Sequence, residues 1–188
     1  MLEKFSNFPE LLENDGGQSM SRLDSHIRQK IAQRDSINLA SRLLAGEGGI
    51  IVEFGLSTGR SYSHLRERFP GHEIFCFDRV DITHPRSRPP TGHLFLGEIA
   101  EVLADPAIHA RFAGQVILAN IDIGRGNLED GLMPELITGQ IRHWLKPAAL
   151  ILSDQDLKLD PAWQLDRVDT TKEVQHSDRF FVYRRRPA

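Results

Sequence analysis

Residues 50–60 read IIVEFGLSTGR, and residues 74–78 read IFCFD. The first stretch is an apolar strand with an acid near its end, followed by a glycine-bearing turn and the start of a helix. The second is another apolar strand that ends in an acid. Glycines let a ligand approach the main chain, and the amides that open a helix can donate to an anionic group. The pattern therefore predicts a nucleoside cofactor at the edge of a parallel sheet.

The composition predicts one globular domain over residues 1–188, because 40% of the residues are hydrophobic and 26% are charged. The net charge of −3 provides no global positive field, so we predict neither a nucleic-acid partner nor a membrane partner. The single cysteine, Cys76, suits a reducing compartment. No signal-like amino terminus or long apolar run is visible, and we expect a cytoplasmic protein.

The order of hydrophobic patterns predicts the architecture. Residues 1–45 are expected to form an irregular arm and two helices, the second capped at Asp35 and Ser36, and to act as a lid. Residues 50–184 form the core, in which strand-like runs alternate with helical segments. This alternation predicts an α/β fold with a doubly wound, mostly parallel sheet. We expect the last two strand-like segments, residues 163–168 and 180–183, to form an antiparallel pair, and helix to run from 132 to 145 until Pro147.

Two common nucleotide sites do not fit the turn. A dinucleotide site requires Gly-x-Gly-x-x-Gly, and counting from Gly55 the later positions hold Ser57 and Arg60. An arginine at the third position opposes tight packing of the helix on the sheet, which disfavours nicotinamide and flavin dinucleotides. A phosphate loop is also disfavoured, because no Gly-Lys-Ser/Thr follows the strand.

The spacing Glu53-x-Gly55-x-Ser57-x-Gly59 resembles motif I of the class I S-adenosylmethionine-dependent methyltransferases, with Ser57 in place of the middle glycine. The likeness continues along the chain. Asp78 resembles the acid that binds the ribose hydroxyls, and residues 97–99 resemble the stretch beside the adenine. Residues 116–122 resemble the fourth strand with its terminal acid, and residues 145–153 resemble the Leu-Lys-Pro turn into the fifth strand, with alanines replacing both glycines.

The resemblance implies the Rossmann-like fold of that family, with S-adenosylmethionine as cofactor and S-adenosylhomocysteine as product. It also implies a set of cofactor-binding residues: Glu53, Gly55, Leu56, Ser57, Gly59, Asp78, Arg79, Glu98, Ile99 and Asp122. Simpler roles remain open for three of them. Asp78 could pair with Arg79, Glu98 could favour a helix dipole, and Asp122 could be a turn residue.

The catalytic group is unknown at this level. A methyltransferase works chiefly by alignment and exclusion of water, so it need not carry a catalytic motif. Asp122 and His84 are candidate bases, as is His143, and no metal site is predicted. The Asn/Asp-Pro-Pro-Tyr/Phe sequence of many enzymes that methylate polymers is absent, which favours a small-molecule acceptor.

The covering arm of the predicted cleft carries three charged residues, Arg22, Asp24 and Arg34, which could face the ligands. The arm and the terminal strand pair also leave apolar faces that predict self-association. Two alternatives stay open. One is a non-catalytic sensor or subunit that binds S-adenosylmethionine or S-adenosylhomocysteine on the same fold, and the other is an NAD-linked or nucleotide-sugar enzyme.

Overall fold

The computed structural model describes residues 20–124 and 132–187. The irregular segment expected before residue 20 lies outside these ranges, as does most of the glycine-bearing stretch of residues 123–127 that follows Asp122. Five helices are described: α1 (Arg22–Leu43), α2 (Arg60–Arg68), α3 (Ile99–Val102), α4 (Pro106–Phe112) and α5 (Met133–Ile141). Seven strands are described: β1 (Ile50–Phe54), β2 (Ile74–Asp78), β3 (Leu94–Leu96), β4 (Val116–Ile121), β5 (Leu145–Ser153), β6 (Leu165–Arg167) and β7 (Phe181–Arg185). Single 3₁₀ turns lie at Pro85–Ser87 and Pro161–Trp163.

All seven strands form one sheet in the order β3-β2-β1-β4-β5-β7-β6. The first five strands in this order are parallel to one another, whereas β7 is antiparallel to both β5 and β6. The predicted doubly wound sheet and its reversed terminal strand are therefore confirmed. The chain winds outward from β1 in one direction to β3 and in the other from β4 to β5. A ligand cleft is expected where these two directions diverge, at the carboxyl ends of β1 and β4.

Each face of the sheet is covered by its own apolar layer. Helices α1 and α2 pack on one face, where Ile51, Leu118 and Leu150 point. The other face carries an aromatic cluster that includes Phe54, Phe77 and Trp144. Alternate residues of a strand face opposite sides, so β1 contributes Ile51 to the first layer and Phe54 to the second. This alternation also decides which way Glu53 points.

The amino-terminal arm departs from the prediction of two helices. Residues 22–43 form a single helix whose cap is Ser21, because the Ser21 side chain accepts a hydrogen bond from the Asp24 amide. Ser36 is completely buried within this helix, and Asp35 bonds Arg34 and the Gln175 amide instead of capping a new helix. The helix thus continues through Asp35 and Ser36, and the predicted second helix with its cap was wrong.

The segment around Pro147 was also assigned incorrectly from the sequence. Helix α5 ends at Ile141, and Pro147 lies inside β5. The pairing of β5 with β4 is irregular here, since Val116 opposes Leu145 and the next pair is Leu118 with Leu150. Ala148 has a positive φ of 61° in the same stretch. A bulge of this kind accommodates a proline, which has no amide to donate to a neighbouring strand.

None of the helices within residues 20–124 and 132–187 combines the length and the apolarity that a membrane span requires.

Candidate active site

The turn after β1 has the backbone shape of a ligand cradle. Gly55, Ser57 and Gly59 all have positive φ, at 89°, 48° and 78°. The Gly55 amide donates to the Phe77 carbonyl over 2.9 Å, and the Gly59 amide donates to the Leu56 carbonyl over 2.8 Å. Ser57, which replaces the middle glycine of the motif, thus adopts a left-handed conformation that a glycine adopts without steric cost. Serine tolerates this conformation at a cost of about 1 kcal/mol.

The two glycines allow neighbouring loops to approach the turn. A Cβ atom at Gly55 would lie 2.2 Å from the main-chain oxygen of Asp122. A Cβ atom at Gly59 would lie 2.7 Å from the Cβ atom of Ser87 and 3.0 Å from Thr83 Cγ2. Gly55 thus allows the turn to contact the end of β4 closely. Gly59 joins it to the proline-rich loop of residues 81–92, which therefore packs on the site.

Asp78 lies at the end of β2, beside the turn. Its Oδ2 atom accepts a hydrogen bond from the Ser57 amide over 2.7 Å, and its Oδ1 atom accepts one from the Val80 amide over 3.3 Å. No ion pair joins Asp78 to Arg79 within the described part of the chain. A carboxylate offers about four lone-pair positions. Asp78 therefore retains acceptor capacity for two hydroxyl donors.

Glu53 lies beneath the turn and is completely buried. The strand register places it directly between Cys76 of β2 and Asn120 of β4. Its carboxyl group accepts hydrogen bonds from the Ser61 hydroxyl and, over 3.4 Å, from the Asn120 amide. Burial raises the pKa of Glu53 to about 8, although the bond from Ser61 opposes this rise. Glu53 therefore supports the start of α2 from below and is uncharged at neutral pH.

The raised pKa of Glu53 predicts a specific pH dependence of stability. The folded state retains a proton that the unfolded chain releases above pH 4.5, so the free energy of unfolding should fall between about pH 4.5 and 8. The loss attributable to Glu53 is about 5 kcal/mol. Urea unfolding of Glu53→Gln from pH 5 to 9 should show a flatter profile, since glutamine does not titrate.

Other groups also titrate in this range, so the comparison requires a second variant. Glu173→Gln removes an exposed carboxylate whose partner is Arg42, and it should preserve the slope of the unaltered protein. Equal slopes for Glu53→Gln and the unaltered protein would show that Glu53 is ionised in the fold.

Helix α1 forms the second wall of the cleft. His26, Gln29, Lys30 and Gln33 line a cavity of about 330 Å³ together with the turn and with Asp122. Their spacing of three and four residues places them on one face of a helix. The three charged residues that the sequence suggested for this role are not among those that line the cavity. Arg34 pairs with Asp35 over 2.7 Å, and Asp24 is the acceptor for the Ser21 hydroxyl.

An ion pair joins the two walls. Lys30 Nζ lies 2.6 Å from Asp122 Oδ2, and the Gln33 amide donates to the same oxygen over 2.9 Å. The Asp122 side chain is 12% exposed and that of Lys30 is 38% exposed. Sequence reasoning identified Asp122 but missed Lys30 and Gln33. The only available signal was their helical spacing from His26, which is common to most amphipathic helices.

The remaining predicted cofactor residues lie around the turn and along the same edge of the sheet. Leu56 is buried in the layer beneath α1 and α2. Arg79 is exposed after β2. Glu98 is exposed at the start of α3, where its side chain makes no capping bond, and Ile99 packs into the opposite apolar layer.

The candidate bases differ in their surroundings. His84 is exposed next to the turn, its Nδ1 atom accepts from the Arg86 amide over 3.2 Å, and its own amide donates to Thr58. His143 lies just before β5, at the opposite edge of the sheet from the cleft, and its ring contacts that of His109. Asp122 is the candidate that lines the cavity.

Two residues after β5 hold the chain that follows Asp122. The Asp154 carboxylate accepts from the Gly124 amide over 2.9 Å, and the Gln155 side-chain amide donates to the Gly124 carbonyl over 3.1 Å. Among the described residues, no three His, Cys, Asp or Glu side chains form a group that could hold a metal ion.

Comparison with known proteins gives the family. The profile of the S-adenosyl-L-methionine methyltransferase family matches residues 20–185. The chain belongs to this family. It is also 34% identical to an S-adenosyl-L-methionine methyltransferase from Silicibacter pomeroyi DSS-3, whose crystal structure superposes with a TM-score of 0.79. That similarity covers 89% of this chain and 99% of the other. A search of curated protein sequences finds no match.

More distant members of this methyltransferase fold are also similar. MycE from the mycinamycin biosynthetic pathway, solved with Mg and S-adenosylhomocysteine, is 13% identical with a TM-score of 0.52, over 87% of this chain and 48% of that one. The aminoglycoside resistance methyltransferase NpmB1 is 11% identical with a TM-score of 0.47, over 79% of this chain and 93% of that one.

The family and the site together define the cofactor chemistry. The protein is an S-adenosylmethionine-dependent methyltransferase. S-adenosylhomocysteine is the product that remains when the cofactor has lost its methyl group. The site suits that ligand, because Asp78 retains lone pairs for a vicinal diol and the positive φ values of Gly55, Ser57 and Gly59 leave an open main-chain cradle. The dinucleotide and nucleotide-sugar alternatives are thereby set aside.

Proposed function

We propose that this methyltransferase acts on a small-molecule acceptor that enters between α1 and the glycine turn. The observation that carries this proposal is the wall formed by α1, since four of its side chains close one side of a cavity of about 330 Å³. A concave cleft of this volume suits small ligands, whereas a polymer is bound on a broad open surface. In this proposal residues 1–45 act as the lid, residues 50–184 form the cofactor-binding core, and the whole chain is one domain.

The proposed cofactor seat consists of the turn and the two strands beside it. We assign the ribose hydroxyls to Asp78, and the main-chain contacts to Gly55, Leu56, Ser57 and Gly59. The border of the adenine is assigned to the exposed side chains Arg79 and Glu98 with the backbone at Ile99. Glu53 has an indirect role, because its buried carboxyl group holds Ser61 at the start of α2.

Asp122 is the proposed base or acceptor-orienting residue. Lys30 and Gln33 both donate to its Oδ2 atom, and within the described residues no hydrogen bond reaches its Oδ1 atom. A free carboxylate oxygen in the cleft can accept a proton or a hydrogen bond from a hydroxyl or amine. His84 is the weaker candidate, since its Nδ1 atom already accepts from a main-chain amide.

The cofactor supplies a methyl group on a sulfonium, which is already a good leaving group. The tasks left to the chain are alignment, removal of a proton where the acceptor needs it, and exclusion of water. The walls formed by α1 and by the proline-rich loop support the last of these, because α1 lines the same cavity as the turn and the loop packs on the turn.

We also propose that the protein is cytoplasmic and self-associates. Cys76 is a free, buried thiol whose pKa is raised by burial, as suits a reducing compartment. Large apolar side chains, among them Leu23, Ile27, Val80 and Ile82, remain exposed and could support contacts between copies.

The proposal predicts methyl transfer to small acceptors. The protein with radiolabelled S-adenosylmethionine should label one or more members of a library of small hydroxyl and amine compounds, and Asp122→Asn should reduce that labelling by about 10²- to 10⁴-fold. Total RNA and a protein extract provide the comparison arms. Labelling confined to RNA or protein would overturn the small-molecule acceptor while preserving the methyltransferase activity.

A further inference from the structure

The two donors from α1 converge on a single oxygen of Asp122. Lys30 Nζ donates to Asp122 Oδ2 and also to Gln33 Oε1, over 3.0 Å, while Gln33 Nε2 donates to Asp122 Oδ2. The three side chains therefore form a closed set of hydrogen bonds in which each orients the other two. Lys30 and Gln33 can share this task because residues three apart lie next to each other on a helix.

The other charges on the cleft walls determine how strongly the Lys30–Asp122 pair affects a charged ligand. Asp122 is the one carboxylate among the described residues that line the cavity, whereas Lys30, Arg60 and His26 can each carry a positive charge. Glu53, beneath the turn, is uncharged at neutral pH because burial raises its pKa. Besides Asp78, which we assign to the ribose, the negative charge that a ligand meets on the lining of this cavity is therefore that of Asp122, and Lys30 offsets it at 2.6 Å.

We propose that the ion pair between Lys30 and Asp122 sets how strongly the cleft prefers the cationic cofactor to its uncharged product. This inference rests on the proposed cofactor seat. S-adenosylmethionine carries a sulfonium charge that S-adenosylhomocysteine lacks, and the two are otherwise nearly identical. A ligand in a cavity of about 330 Å³ lies within about one Debye length of both side chains. Any imbalance between the two charges therefore acts on the sulfonium and leaves the thioether almost unaffected.

The test compares dissociation constants for S-adenosylmethionine and S-adenosylhomocysteine by isothermal titration calorimetry at low salt. Lys30→Met leaves Asp122 uncompensated and should shift the ratio about 3- to 10-fold toward S-adenosylmethionine. Asp122→Asn leaves Lys30 uncompensated and should shift the ratio by a similar factor toward S-adenosylhomocysteine. The double variant removes both charges and should return to within about 2-fold of the original ratio.

Two controls separate charge from packing. Lys30→Arg keeps the charge and should keep the ratio. Arg34→Met removes a cation from the same helix that pairs with Asp35 outside the cavity, and it should also leave the ratio unchanged. The predicted shifts should shrink in 0.5 M salt, because screening weakens partly exposed charges.

The outcomes distinguish this inference from the function on which it rests. If the unaltered protein binds neither ligand, the cofactor seat itself is wrong. If it binds both and the Lys30→Met and Asp122→Asn ratios stay equal to the original, the seat stands and the inference is wrong. A shift of both single variants in the same direction would also overturn it, since opposite charges must act oppositely.

Discussion

Replacing Asp78 by asparagine or alanine should weaken the binding of S-adenosylmethionine and S-adenosylhomocysteine by about 100-fold or more. Asp78 ends β2 with two lone-pair positions already used by the Ser57 and Val80 amides, and its remaining positions are those proposed for the ribose hydroxyls. Hydrogen bonds to a charged group contribute about 1.5–3 kcal/mol each, so the loss of two gives an effect of this size. Calorimetric titration measures it directly.

A matched acid elsewhere in the sheet provides the control for Asp78. Asp166 in β6 is exposed and pairs with Arg186 over 2.7 Å, and Asp166→Asn should bind both ligands as the unaltered protein does. Both variants remove one carboxylate, so the net charge changes equally. Tight binding by a folded Asp78→Ala protein would refute the assignment of the ribose to this residue.

Gly55→Ala should destabilise the protein by about 3–5 kcal/mol, which corresponds to a fall in Tm of roughly 10 °C. The added Cβ atom would lie 2.2 Å from the Asp122 main-chain oxygen, and the backbone at Gly55 has a φ of 89°. Alanine is therefore unfavourable at this position for two reasons: the backbone conformation strains it, and its Cβ atom has no room. Because relief of the clash displaces the end of β4, the affinity for S-adenosylhomocysteine should fall as well.

Gly71→Ala separates the conformational cost of the substitution from the cost of the steric clash. Gly71 has a nearly identical φ of 91°, but nothing lies within 4 Å of the position that its Cβ atom would occupy. Its substitution should therefore cost only the conformational term of about 1 kcal/mol. Equal Tm values for Gly55→Ala and Gly71→Ala would show that the contact between the turn and Asp122 can relax without loss of stability.

The predicted sheet was right because the signals that define it are local. Continuous apolar runs such as residues 50–54 and 116–121 form strands that are buried on both faces, and their alternation with helical segments allows few topologies. The errors arose where a local signal was overridden by tertiary contacts. Asp35 and Ser36 resemble a helix cap, yet Ser36 is buried inside α1. Pro147 resembles a helix stop, yet a bulge accommodates it in β5.

The sequence by itself determined the fold, the family and the turn to which we assign the cofactor. These depend on spacing along the chain, since Glu53, Gly55 and Gly59 lie within one strand–turn–helix unit and Asp78 ends the next strand. Tertiary structure alone decided what faces that turn. Lys30 lies 92 residues before Asp122 in the sequence, and no periodicity of α1 indicates which of its faces meets β4. A contact of that kind depends on how the helix packs on the sheet, and so the charge balance of the cleft became visible only in three dimensions.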